Sequence, residues 1–124
     1  GIRKRANEKI VIIVRSLFTA RDNGVSFVFS DRHAYLQAAR FSNQLSDLNM
    51  IDWDILQRRD FKRDSNDLGK IERYQAEALI WQHLPVTSFL GVVCYDEATS
   101  LWVSSFEAVS ALNLRVISKP DWFF

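Results

Sequence analysis

Lys70-Ile71-Glu72-Arg73-Tyr74-Gln75-Ala76-Glu77-Ala78-Leu79-Ile80-Trp81 carries Glu77 out of a basic approach and into an apolar run. Upstream, Arg58, Arg59, Lys62, Arg63, Lys70 and Arg73 are interrupted by Asp64-Ser65-Asn66-Asp67 and Gly69, which reads as an irregular, solvated segment. Downstream, Ala78-Leu79-Ile80-Trp81 has the length of a buried strand, although period alone leaves a helical turn open. A carboxylate placed where a polar loop enters a rigid strand can reach a bound substrate while its backbone is held. The same pattern fits a glutamate at a strand end facing water, so the neighbouring motifs must decide.

Working outward, Ile10-Val11-Ile12-Ile13-Val14 is apolar on both faces and predicts a central strand. Asp22-Asn23-Gly24 marks a turn, and the alternation over residues 25–30 predicts a second strand that delivers Asp31-Arg32-His33 at its exit. Good helix formers over residues 34–41 predict a helix capped by Ser30 or Asp31. Leu45, Leu48 and Ile51 punctuate a connection, and Asp52-Trp53-Asp54-Ile55-Leu56 predicts a helical turn with an acidic start.

Beyond Glu77, residues 86–90 predict a short helix and residues 91–95 a strand. Apolar residues at Leu101, Val103, Phe106, Val109 and Leu112 predict one amphipathic helix, and residues 114–118 a last strand. Trp53 and Trp122 are expected as core anchors. No internal repeat or linker divides the chain, which reads as a single domain or fragment over residues 1–124. Strands and helices alternate irregularly, so the expected fold class is α+β with a mixed β-sheet and short helices.

Composition bounds the function classes. The chain has 124 residues, 48% of them hydrophobic, with nine Phe and four Trp, enough for one buried core. A net charge of +1 gives no global field for nucleic acid, so any such binding must use a local patch. The lone Cys94 sits in an apolar run and is expected to be buried and unpaired, which suits a reducing compartment. The apolar runs are too short to span a bilayer, and Gly1-Ile2-Arg3-Lys4 does not open a signal peptide, so the expectation is a soluble, cytoplasmic chain. The opening Gly, followed by basic Arg3-Lys4-Arg5, suggests a fragment.

Several chemistries fall away. His33 and His83 stand far apart and there is one Cys, so no zinc constellation or other metal site is expected. The four glycines form no phosphate-cradling loop, and no serine stands in a nucleophile elbow. A carboxylate, a histidine at a strand exit and a basic segment containing Phe61 and Tyr74 remain.

Four motifs in order carry a more specific signal: Phe27-Val28-Phe29-Ser30-Asp31-Arg32-His33-Ala34, Leu48-Asn49-Met50-Ile51-Asp52-Trp53, Arg73-Tyr74-Gln75-Ala76-Glu77-Ala78-Leu79 and Pro120-Asp121-Trp122-Phe123-Phe124. Together they resemble the C-terminal part of the DarT family, DNA ADP-ribosyltransferase toxins of bacterial toxin-antitoxin systems. The resemblance covers nearly the whole chain from about Lys9 onward. It implies an ADP-ribosyltransferase fold that uses NAD, without a metal, to modify a base in single-stranded DNA.

In that scheme Glu77 matches the family's catalytic glutamate, the last residue of its Arg-x-Gln-Ala-Glu motif. Loss of nicotinamide leaves an oxocarbenium-like ribose, which a carboxylate can steady through the ribose hydroxyl while helping to deprotonate the attacking base. Residues 57–73 then correspond to the loop that contacts the acceptor. There Arg59, Lys62 and Arg63 are expected to hold phosphates, and Phe61 or Tyr74 to stack on an unpaired base. A solvated charged face is the plainer reading, since Asp60, Asp64, Asp67 and Glu72 offset the cations.

His33 matches the family's Ser/Thr-Asp-x-His-Ala motif, either contacting the base and handling protons or capping the strand exit. Arg73 either orients Glu77, grips a phosphate, or pairs with Asp67 or Glu72. The family's NAD-binding half lies N-terminal to these motifs and has no counterpart here, so cofactor-binding residues are expected in that missing half, on the same or a separate polypeptide. A site without its cofactor cleft is not expected to turn over.

Two other classes stay open: a non-catalytic single-stranded nucleic-acid-binding module using the basic loop alone, and a protein-interaction module derived from such a toxin. The resemblance also implies a macrodomain antitoxin as partner. The modified base and its DNA context are not legible.

Overall fold

A computed structural model describes residues 7–123; Arg3-Lys4-Arg5 and Phe124 lie outside the described residues. The fold is mixed α+β, with two small sheets and short helices, and its backbone contacts separate into two compact units. The first comprises residues 7–20 and 84–123, the second Arg21–His83.

The first unit is built on a three-stranded sheet ordered β1-β5-β6, with β1 Val11–Val14, β5 Gly91–Cys94 and β6 Arg115–Ser118. Strand β5 pairs antiparallel with β1 and parallel with β6. The sheet's centre is therefore β5, not the 10–14 run that composition favours. All four residues of β5 are buried, whereas Val11 and Ile13 on β1 are 43% and 53% exposed. A strand paired on both sides and covered on both faces needs the continuous apolar run; an edge strand does not.

Gly91 is required at that centre. A Cβ there would meet the Arg115 carbonyl oxygen at 2.5 Å, too close for the parallel pairing of Gly91 with Arg115. Val92, Cys94 and Val103 form the core, flanked by Val109, Leu114 and Val116, and the Cys94 thiol is free and buried as the sequence suggests.

The amphipathic stretch over residues 101–112 is not one helix. It divides into α4 Glu97–Ser104, capped by the Asp96 carboxylate accepting from the Thr99 N–H at 2.7 Å, and α5 Glu107–Ala111. Between them the Ser105 hydroxyl donates back to the Trp102 carbonyl at 2.5 Å and Phe106 is extended, which ends the first helix. Trp122 is 44% exposed, with the Lys119 ammonium 5.1 Å from its ring centroid, so it is not the core anchor expected.

The second unit carries a fully antiparallel sheet ordered β3-β2-β4, with β2 Phe27–Ser30, β3 Phe41–Ser42 and β4 Ala78–Ile80. Helix α1 Leu17–Asp22 leads to a turn in which Gly24 takes φ +73°, a conformation that glycine adopts without steric cost. Helix α2 Trp53–Arg58 starts on Asp52, whose side chain accepts from the Ile55 N–H at 3.1 Å. Helix α3 Lys70–Arg73 is a single turn ahead of β4. A 3₁₀ turn occupies Leu45–Met50 in this unit, and two others, Val86–Ser88 and Pro120–Trp122, belong to the first.

Three expectations change in this unit. Residues 34–41 form turns and then β3, because the Asp31 and Arg40 backbones pair with each other and the buried Asp31 carboxylate binds Arg40; those contacts outweigh helix propensity. Strand β4 is largely exposed, with Leu79 at 42% and the following Trp81 at 71%. Trp53 is 47% exposed and donates its indole N–H to the Leu48 carbonyl at 2.8 Å, fixing a turn and not a core.

Candidate active site

Glu77 stands immediately before β4, with its backbone carbonyl accepting from the Ser30 N–H at 2.9 Å. This bond extends the β2–β4 pairing by one step and sets the glutamate beside the exit of β2. Its side chain is 36% exposed, and Oε1 accepts from the Ala34 N–H at 2.8 Å. One carboxylate oxygen is thus held by a backbone donor that cannot rotate away, leaving Oε2 for another partner.

The donor is fixed in turn. Asp31 is 2% exposed, and its carboxylate accepts from the Arg40 N–H at 2.9 Å, Arg40 Nε at 3.1 Å and Arg32 Nη2 at 3.3 Å. Burial raises the Asp31 pKa, but the hydrogen bonds from Arg40 and Arg32 outweigh it and hold the carboxyl below its ordinary value. The Ser30 hydroxyl donates to the Arg32 carbonyl at 2.5 Å, and Leu36 and Ala39 N–H groups donate to the His33 and Leu36 carbonyls at 3.0 Å each. Residues 31–40 form a closed loop clamped at its base, with Ala34 near its start.

His33 lies beside the carboxylate, its Nδ1 3.8 Å from Glu77 Oε1. That nitrogen accepts from the Tyr35 N–H at 3.0 Å, so in this arrangement the ring proton sits on Nε2. The approach to Glu77 is between two acceptors and is not an ion pair. His33 therefore caps the turn from beside the carboxylate.

The basic segment is arranged differently. Arg73 does not reach Glu77: its Nε donates to Asp52 Oδ2 at 3.1 Å and its Nη1 to Asp67 Oδ1 at 2.9 Å, with a second short bond from Nη2 to Asp67 Oδ2. Its pKa is raised, first by the Asp67 carboxylate and further by Asp52, with burial opposing. This fork tethers the 64–69 turn and the start of α2 to the helix ahead of Glu77.

Lys70 is buried and pairs with Asp60 at 2.7 Å, which lowers the Asp60 pKa. Tyr74 donates its hydroxyl to the Ile55 carbonyl at 2.9 Å, and Phe61 covers its ring at a centroid distance of 4.5 Å. Arg73 and Tyr74 thus both take part in the scaffold, and of the roles left open for Arg73 the pairing with Asp67 is the one seen. Arg59 takes φ +53° as the left-handed cap of α2, while Lys62 and Arg63 are exposed and carry no ion pair among the described residues. Phe61 is 51% exposed.

Three of the four sequence motifs meet here: Asp31 and Ala34 from the first, Asp52 from the second, and Arg73 with Glu77 from the third. Ala34, Asp31 and Asp52 were not singled out from the sequence, since two act by backbone position or burial. Their signal was membership of the same motifs. Among the described residues, no group of three or more His, Cys, Asp or Glu side chains is placed to hold a metal ion, and no helix is long and apolar enough to cross a membrane.

A family profile described as "ssDNA thymidine ADP-ribosyltransferase, DarT" matches residues 2–124. The chain belongs to the DarT family. A DNA ADP-ribosyl transferase from Escherichia coli O127:H6 is 44% identical over the whole chain, which spans 57% of that protein. The DarT of Thermus sp. 2.9 solved in complex with NAD+ superposes with a TM-score of 0.81 at 26% identity, covering 94% of this chain and 59% of the other. Its complex with ADP-ribosylated single-stranded DNA gives the same score and identity, with 56% of that chain covered. This DarT-family chain thus spans somewhat over half the length of these two relatives.

Proposed function

We propose that the chain is the C-terminal part of a DarT domain that transfers ADP-ribose from NAD to a base of single-stranded DNA, with Glu77 as the catalytic carboxylate. The observation that carries this reading is the 2.8 Å bond from the Ala34 N–H to Glu77 Oε1, which aims a carboxylate from a rigid strand exit in a chain of this family. The Thermus complexes with NAD+ and with ADP-ribosylated DNA support the substrate pair, and the family description supports thymidine as the acceptor.

In the reaction the bond between nicotinamide and ribose C1′ breaks, its electron pair leaving on nicotinamide. The acceptor base supplies the pair for the new C1′ bond and gives up a proton. Glu77 hydrogen-bonds a ribose hydroxyl as positive charge develops on the ring and receives the base's proton. With Oε1 anchored to Ala34, Oε2 faces both tasks without first reorganising. His33 presents Nε2–H toward the acceptor, while Lys62 and Arg63 meet phosphates.

We place the NAD contacts in residues N-terminal to those matched here, on the same polypeptide or a separate half. The biological role follows the family: a cytoplasmic toxin of a toxin-antitoxin system, opposed by a macrodomain antitoxin. The test is NAD-dependent labelling of single-stranded oligonucleotides by the longest natural polypeptide carrying this sequence, by its Glu77→Gln form, and by this chain alone. Labelling that needs Glu77 in the long form and is absent from the short one supports the proposal. Labelling by the short chain overturns the assignment of NAD to residues outside it, and DNA binding without labelling by any form supports the binding-module reading instead.

A further inference from the structure

Tyr35 is 91% exposed, the most exposed large hydrophobic residue among those described. Leu68 and Trp81 are also open, at 87% and 71%, so exposure alone does not single it out. Position does: Tyr35 follows Ala34, the residue whose N–H holds Glu77. Its own N–H is fixed on His33 Nδ1 at 3.0 Å, and its ring leans edge-on to the His33 ring at a centroid distance of 6.5 Å.

An aromatic ring held in water on a rigid backbone gains nothing for folding, yet it is pre-organised to stack on an unpaired base. At the far end of the same closed loop, Arg40 engages Asp31 through Nε, and its side chain is 69% exposed. A flat aromatic surface and an accessible cation on one fixed turn match the two chemistries of a single-stranded nucleotide, its base and its phosphate. The aromatics of the basic segment offer less, since Phe61 and Tyr74 cover each other.

Resting on the function proposed above, we infer that Tyr35 is the stacking platform for the base next to the one that reacts at Glu77, with Arg40 on the adjoining phosphate. The neighbouring base is assigned because His33 is the ring beside the carboxylate and Tyr35 lies one ring further along.

The experiment measures binding of a fluorescein-labelled single-stranded oligonucleotide by the full natural polypeptide in a Glu77→Gln background, with labelling by its unsubstituted form run in parallel. Tyr35→Ala is expected to weaken binding about tenfold, and Tyr35→Phe or Tyr35→Trp to restore it. An abasic nucleotide beside the acceptor should make Tyr35 and Tyr35→Ala bind alike, which a merely structural role would not do. Arg40→Gln should lower the slope of log affinity against log salt by about 0.7, the value for one single-strand phosphate.

Parent-like binding by Tyr35→Ala, in a protein that labels DNA, overturns this inference alone. So does a deficit that persists when the abasic nucleotide is placed on either side of the acceptor. A parent that neither binds nor labels DNA overturns it together with the function on which it rests.

Discussion

The turn at residues 31–40 and the segment at residues 57–73 both approach Glu77, and they use charge in opposite ways. The segment holds Arg58, Arg59, Lys62, Arg63, Lys70 and Arg73, yet Arg58, Lys70 and Arg73 are matched by Asp54, Asp60, Asp52 and Asp67. The turn holds only Arg32, His33 and Arg40, but it buries one carboxylate, Asp31, and so fixes the backbone donor that touches Glu77. Density of charge along a sequence marks where ions can pair, not where they are available. A cation is available when its carboxylate neighbours are already spoken for or absent, and only the fold decides that.

The sharpest way to break this comparison is at the carboxylate itself. Glu77→Gln keeps the shape and the Ala34 hydrogen bond but cannot accept a proton, so labelling by the full polypeptide should fall by about a hundredfold or more with the melting temperature unchanged. A residual rate near the parent's would show that the turn aims the wrong residue.

Next in size, Asp31→Ala leaves the Arg40 N–H and guanidinium without their acceptor and Arg32 with Glu72 alone, and denaturant unfolding should register a loss of about 2–4 kcal/mol. The same carboxylate predicts a pH dependence. Its folded pKa lies below the ordinary 3.8, so its contribution is complete above about pH 5 and is lost as pH falls through 3.8 toward the folded value, where the unfolded chain takes up the proton first. Asp60 and Asp67, lowered by Lys70 and Arg73, act in the same direction. Asp31→Asn should flatten that acid limb in a urea series run from pH 6 to pH 2.5.

Arg73→Ala tests the segment as a scaffold. It should lower the melting temperature by several degrees by releasing Asp52 and Asp67, while the salt dependence of DNA binding stays as in the parent. A slope reduced by about 0.7 with stability unchanged would reverse the assignment, making Arg73 a phosphate contact. The smallest effect belongs to Lys62→Ala with Arg63→Ala, where a few-fold loss of affinity and no change in melting temperature are expected.

Much of this arrangement was legible. The Asp22-Asn23-Gly24 turn, the strands at residues 27–30, 91–94 and 115–118, the buried Cys94 and the helical turn that starts after Asp52 follow from local rules of period and turn chemistry. Glu77 was placed correctly at the head of a strand. What failed had a common cause: residues 34–41, the continuous 101–112 helix, the central position of residues 10–14 and the two tryptophans as core anchors were each decided by partners distant in sequence or by burial that local pattern does not report. The 31–40 loop closes through Asp31 and Arg40, and no periodicity announces that closure.

The sequence by itself determined which residue types could do chemistry here, since a lone cysteine, two distant histidines and no phosphate loop leave a carboxylate as the natural centre, and four ordered motifs name its family. Tertiary structure decided which groups stand free to act. It neutralised Lys70 and Arg73 within the scaffold, exposed Tyr35, and set the Ala34 N–H against Glu77 across forty-three positions of sequence. The physical reason is that a residue's type fixes what it can bond, whereas its desolvation and its partners fix what it does bond, and both are properties of the folded chain.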